Sequence, residues 1–134
     1  MNILLDTHIA VWAITDDLRL TGPAREMLLD PDNNIFISAV STLEINNKRK
    51  SKKNNLEFTT EDFINCCMEA GYIELPLLSR HLAAENNLRW GGEGEEHKDP
   101  YDRLLLAQAR IEKMHLMTHD HMISLFDEKC ILSV

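Results

Sequence analysis

The sequence predicts an α/β fold, a central mostly parallel sheet of four to five strands flanked by helices, and three observations carry this reading. Short apolar runs alternate with longer segments of helical period, the pattern of βα units around a sheet buried on both faces. A length of 134 residues suits one domain spanning 1–134 and leaves no room for two. The 44% hydrophobic and 27% charged residues are ordinary for a globular chain, and one of this size buries roughly two-thirds of its unfolded surface.

The candidate strands are Asn2 to Leu5, Asn34 to Ser38, Tyr72 to Leu75, His115 to Thr118 and a last one at Cys130 to Val134. Helices are expected at Thr7 to Thr15 and at Pro23 to Asp30, where Pro23 suits a first turn and Pro31-Asp32-Asn33 punctuates the end. Ala39 to Lys53 follows, with Val40, Leu43 and Ile45 early and Lys48-Arg49-Lys50-Ser51-Lys52-Lys53 at its end. Those cations complement the helix dipole, and they also form a local patch able to steer phosphate. Thr60 to Ala70 carries a capping signature in Thr59 and Thr60 with Glu61 and Asp62, and Gly71 is its stop. Ser79 to Asn86 is expected to open on a serine N-cap. It leads into Asn87 to Glu96, a stretch with three glycines and three glutamates that reads as a mobile segment. Asp99-Pro100-Tyr101-Asp102 then starts a long helix to about Lys113, with Leu104, Leu105, Ala109 and Ile111 apolar.

Composition excludes several functions. Fourteen Lys and Arg against 22 Asp and Glu leave a net charge of −8, which argues against holding long nucleic acid by bulk counterion release. Cys66, Cys67 and Cys130 are too few and too badly spaced for a disulfide framework or a zinc site, which fits a reducing, cytoplasmic setting. Ile3-Leu4-Leu5 is too short for an export signal, and no stretch approaches the ~20 apolar residues of a membrane span. Eight scattered aromatics do not pattern as the base-stacking sheet of a single-strand-binding protein.

In an open α/β sheet, ligands collect outside the carboxyl ends of the strands, so acids just after apolar runs carry the most weight. Asp6 closes Ile3-Leu4-Leu5, and Asp120 follows His115 to Thr118. Glu44 lies about one and a half turns into the helix after the second strand, and Asp102 lies in the first turn of the helix before the fourth. Carboxylates brought together repel one another and lose hydration unless a cation joins them. Oxygen-only ligands select hard ions, so Mg²⁺, with Mn²⁺ as a substitute, is the expected cofactor. Such an ion acidifies water and neutralises a phosphodiester, which points to phosphodiester hydrolysis.

Four ordered segments then carry a specific resemblance: Leu4-Leu5-Asp6-Thr7-His8, Ser38 to Ile45, Asp99 to Ala109, and Leu116 to Asp120. Together they resemble the motifs of PIN-domain ribonucleases, most closely the VapC-type toxins, over essentially the whole chain. The resemblance implies a PIN domain at 1–134 and a Mg²⁺-dependent endoribonuclease acting on RNA, the toxin of a type II toxin–antitoxin pair. It implies Asp6, Glu44, Asp102 and Asp120 as the catalytic acids and Asp6, Asp102 and Asp120 as metal ligands, with Asp6 and Asp102 foremost. It implies a VapB-type antitoxin that places a cation in the acidic pocket, and a homodimer; the helix faces around Trp12 and Leu56 to Phe63 are candidate contacts for it. Leu43 stands where the family commonly has an aromatic, and Asn54-Asn55 where a glycine is frequent.

Simpler roles compete for several residues. Glu44 serves equally as ligand or as base. Asp6 and Asp99 suit helix N-caps, Asp99 as its main role. Thr7 and Thr118 either position Asp6 and Asp120 or cap and turn the chain. Arg103 pairs with an acid in an exposed position or approaches phosphate. His97, His115, His119 and His121 read as surface imidazoles, since no zinc motif accompanies them. Cys66-Cys67 reads as core packing, as do Trp12 and Met27. Two other classes share the sheet. A phosphoacceptor receiver would carry paired early acids and a late lysine, where this chain has a lone Asp6 and Asp120. A non-catalytic interaction module would have no need of four acids.

Overall fold

The computed structural model describes residues 1–51 and 56–134; the expected helix end at Lys52 and Lys53 and the Asn54-Asn55 departure lie outside the described residues. Five strands, β1 (Asn2–Leu5), β2 (Asn34–Ser38), β3 (Ile73–Leu75), β4 (His115–Thr118) and β5 (Ile131–Ser133), form one sheet in the order β3-β2-β1-β4-β5. Every pairing is parallel, with Leu4 opposite Phe36 on one side and Leu116 on the other. Central β1 is flanked by strands the chain reaches in opposite directions, so the topological switch point falls between β1 and β4.

Alternation along each strand divides the core between the two faces. Leu4 and Leu116 pack with Leu105, Leu106, Ala107, Ala109 and Phe126 on one face. Ile3, Leu5, Ile35, Ile37 and Met117 pack with Ile9, Ala24, Ile45, Phe63 and Cys67 on the other. Burial on both faces is why the strands read as unbroken apolar runs. The helices are α1 (Thr7–Ile14), α2 (Gly22–Leu29), α3 (Ala39–Lys50), α4 (Thr60–Glu69), α5 (Ser79–Glu85), α6 (Pro100–Glu112) and α7 (His121–Ser124). Thr59 and Asp62 close the expected capping box, and Gly71 (φ 84°) takes the left-handed conformation that ends α4.

Several expectations are corrected. The N-cap of α5 is Leu78, not a serine. The imidazole Nδ1 of His81, fully buried, accepts the Leu78 amide at 3.0 Å, while its Nε2 meets Glu112 at 3.1 Å. The His81 ring, at the third helical position, thus serves the backbone amide of the N-cap residue, the donor that the N3 side chain takes in a capping box. Cys67 is buried, and burial pushes its thiol up to about 12, but Cys66 faces solvent. The segment read as mobile is tied at both ends. Arg89 and Gly91 exchange backbone bonds with Asp127 and Leu125, and Trp90 packs edge-on against Phe126 at 5.0 Å. The basic end of α3 is partly spent within the fold: Lys48 pairs with Glu44 at 2.8 Å, and Arg49 donates to the Phe58 carbonyl. Among the described residues no helix is long and apolar enough to cross a membrane.

Candidate active site

Asp6 leaves β1 and caps α1. Its Oδ1 accepts the Ile9 amide at 3.1 Å, and its Oδ2 accepts the Thr118 hydroxyl at 2.5 Å, so the end of β4 clamps the acid that ends β1. Thr118 accepts the Asp120 amide at 3.0 Å in turn. One hydroxyl therefore orders the acids on both sides of the switch point. This differs from the expected pairing, in which Thr118 would serve Asp120 through its own hydroxyl proton. Thr7 instead donates to Ser41 at 2.9 Å, fastening α1 to α3.

Asp6 and Asp120, with His8, Trp12, Arg19 and His119, line an open cleft of about 250 Å³. Asp120 also caps α7, accepting the Met122 amide at 2.7 Å. Asp99 caps α6 through the amides of Tyr101 and Asp102, which leaves Asp102 free for the crevice. Asp102 meets His97 Nε2 through Oδ2 at 2.9 Å, and each side chain is 17% exposed. His97 is therefore no surface imidazole, a correction that sequence alone did not offer. Its placement depends on Arg103, which reaches the His97 carbonyl at 3.1 Å, Glu85 at 2.5 Å and Glu96 at 2.6 Å while only 14% exposed. Arg103 thus pairs with acids, but in a sheltered position, because it has a loop to hold.

The electrostatics follow from this packing. Burial raises the Asp6 carboxyl above its usual range, against the lowering pull of Thr118, the Ile9 amide and His8. Burial pushes Asp102 up to about 6, and the charges of Asp99, Asp6 and Asp120 add to it, although the His97 bond opposes the shift. The charges of Asp6 and Asp120, which line the cleft, thus reach Asp102. Glu44 reaches the same edge by a separate route: it is 5% exposed on α3, one turn beyond Ser41, the partner of Thr7. Its Oε2 pairs with Lys48, and its buried Oε1 has no hydrogen-bond partner among the described residues.

A hard cation fits this donor set. The acids supply oxygen only, burial keeps Asp6 and Asp102 protonated more readily than usual, with neighbouring carboxylates adding to it at Asp102, and Glu44 offers a buried acceptor unpaired among the described residues. Among the described residues no three His, Cys, Asp or Glu side chains form a group able to hold a metal by themselves. Sequence reasoning missed Gln108 as well as His97. Gln108 is fully buried, accepts the Ser38 hydroxyl at 2.5 Å and donates to the Pro76 carbonyl at 3.2 Å, locking the ends of β2 and β3 to α6.

Asp6 and Asp120 thus line a cleft at the switch point of an all-parallel sheet, the place where open α/β folds bind their ligands. The PIN domain profile matches residues 3–129, and the chain belongs to the PIN domain family. That membership sets the receiver reading aside. Among solved structures the chain is similar to VapBC2 from Rickettsia felis, crystallised with a DNA fragment from their promoter. The two share 20% identity and a TM-score of 0.72 over 99% of this chain and 98% of that one. It is also similar to FitAB bound to an IR36 DNA fragment, at 19% identity and a TM-score of 0.51, over 98% of this chain and 94% of that one. Identity at this level carries the fold alone. Comparison with curated proteins yields no significant match.

Proposed function

We propose that this chain is a Mg²⁺-dependent endoribonuclease, the toxin of a VapBC-type toxin–antitoxin pair acting in the cytoplasm. The observation that supports the reading is a cleft lined by Asp6 and Asp120 whose charges reach the buried Asp102, with burial raising both Asp6 and Asp102. A divalent cation bound there would supply charge neutralisation of a phosphodiester and acidification of water. Asp6, Asp102 and Asp120 would hold it. The protein's own contribution is preorganisation. Thr118 fixes Asp6, and His97 fixes Asp102, so neither carboxylate must reorient when substrate arrives. Glu44 keeps a free buried oxygen able to accept a proton from water or to face a cation.

Support for a toxin–antitoxin role comes from family membership and from the similarity to VapBC2 and FitAB. A VapB-type partner fits an acidic chain: an arginine or lysine from a disordered antitoxin segment would enter the crevice and make charge-assisted bonds to its carboxylates. A homodimer belongs to the same proposal.

The test is cleavage of single-stranded RNA in Mg²⁺, in Mn²⁺ and in EDTA by the wild type, Asp6→Asn and Asp102→Asn. The expected result is metal-dependent cleavage that falls by at least about 10²-fold in either variant, since each removes a charge stabilising the reacting centre. Equal RNA cleavage in EDTA and Mg²⁺ would refute the metal role. Growth inhibition undiminished in both variants would point instead to a non-catalytic interaction module.

A further inference from the structure

The cleft's other lining residues, His8, Trp12, Arg19 and His119, have no role in the mechanism above. His8 and Trp12 lie one helical turn apart on α1, with ring centroids 6.2 Å apart. His119, the residue before Asp120, meets the Trp12 ring edge-on at 5.9 Å. The Arg19 guanidinium lies 5.2 Å from the same ring. Arg19 is itself held flat by a two-pronged pairing with Asp17, through Nε at 3.1 Å and Nη2 at 2.8 Å. Trp12 is half-buried: it packs on the core, yet it also borders the cleft.

Three features of this wall favour one kind of ligand. Its surface consists of π systems and a guanidinium plane, which stack on flat heterocycles. The Arg19 charge is already matched by Asp17, so the wall attracts phosphate weakly and must hold its ligand by contact. The cleft, about 250 Å³ and open to one side, is smaller than the roughly 300–1,000 Å³ pockets that engulf small molecules, and it suits a chain laid across it. A protein of net charge −8 gains little from long-range phosphate attraction, and stacking supplies affinity without it.

We propose that Trp12, with His8, His119 and Arg19 around it, is a nucleobase-stacking subsite for single-stranded RNA, holding the base next to the phosphodiester presented to Asp6 and Asp120. This rests on the nuclease reading and extends it to how an acidic enzyme retains its substrate. The subsite recognises a base by its face, so it contributes affinity with little sequence preference.

The test compares binding of a short fluorescently labelled single-stranded RNA with binding of an abasic ribose-phosphate chain of the same length. It uses Asp102→Asn protein in Mg²⁺ to suppress cleavage. Trp12→Leu keeps apolar packing and removes the stacking face; Trp12→Phe keeps a ring. Circular dichroism and melting show that each variant is folded. The expected result is a loss of roughly tenfold in RNA affinity for Trp12→Leu, little loss for Trp12→Phe, and unchanged binding of the abasic chain. Equal loss on both chains, or no loss on RNA, overturns the subsite. A Leu variant that binds RNA normally but loses self-association or antitoxin binding would make this face a protein contact and overturn it likewise. Wild-type cleavage is measured in parallel. Base-dependent binding without any RNA cleavage would sink the nuclease reading alone, and cleavage with an indifferent Trp12 would sink the subsite alone.

Discussion

At the scale of single residues, the chemistry depends on carboxylates placed where they cost stability. Asp102 is raised from 3.8 to about 6, mainly by burial, so the folded state binds its proton more tightly than the unfolded chain does. The sign is therefore destabilising at high pH: the penalty is complete above pH 6 and vanishes as pH falls toward 4. Metal-free Asp102→Asn, which can still accept from His97, should be more stable than the wild type at pH 8 by about 2 kcal/mol. The difference should close between pH 6 and 4, as read by chemical denaturation in EDTA. Thr118→Val removes the donor on Asp6 and the acceptor for the Asp120 amide together. It should lower Mg²⁺ affinity and kcat/KM by roughly 10–100-fold with the fold intact, as measured by metal titration of cleavage. Asp6 and Asp120 were legible in the sequence because each directly follows or nearly follows an apolar run. His97 was not, because its partner is fixed by the path of an aperiodic polar segment.

Elements show which local rules are overridden by packing. The capping box of α4 and the proline start of α6 were readable, since both are satisfied within a few residues. The α5 start was not, because its cap comes from the His81 ring rather than from the serine beside it. The four-residue α7 is too short to show helical period. The stretch before α6 has the composition of a mobile loop, yet Arg103 binds Glu85, Glu96 and the His97 carbonyl and so closes it. Arg103→Ala should therefore destabilise the protein by on the order of 2–3 kcal/mol, because it leaves sheltered carboxylates unpaired. It should also reduce cleavage through release of His97. Urea unfolding and kcat/KM test the two effects. Gly71→Ala is a narrower check on the α4 stop: at φ 84° an added Cβ should cost about 1 kcal/mol with activity unchanged.

For the whole molecule, α/β alternation was visible in the sequence but strand order was not. Periodicity reports burial, whereas the order β3-β2-β1-β4-β5 is set by pairings between segments as distant as Ile3 and His115. That order makes the switch point, and the switch point brings Asp6 and Asp120 to one cleft. The central claim is that these carboxylates bind a divalent cation. Its most direct test is anomalous scattering from crystals of the protein soaked in Mn²⁺. A single strong peak about 2.1 Å from carboxylate oxygens of Asp6 and Asp102 is expected. Well-ordered crystals with no peak in the crevice, or with a peak held elsewhere, would contradict it.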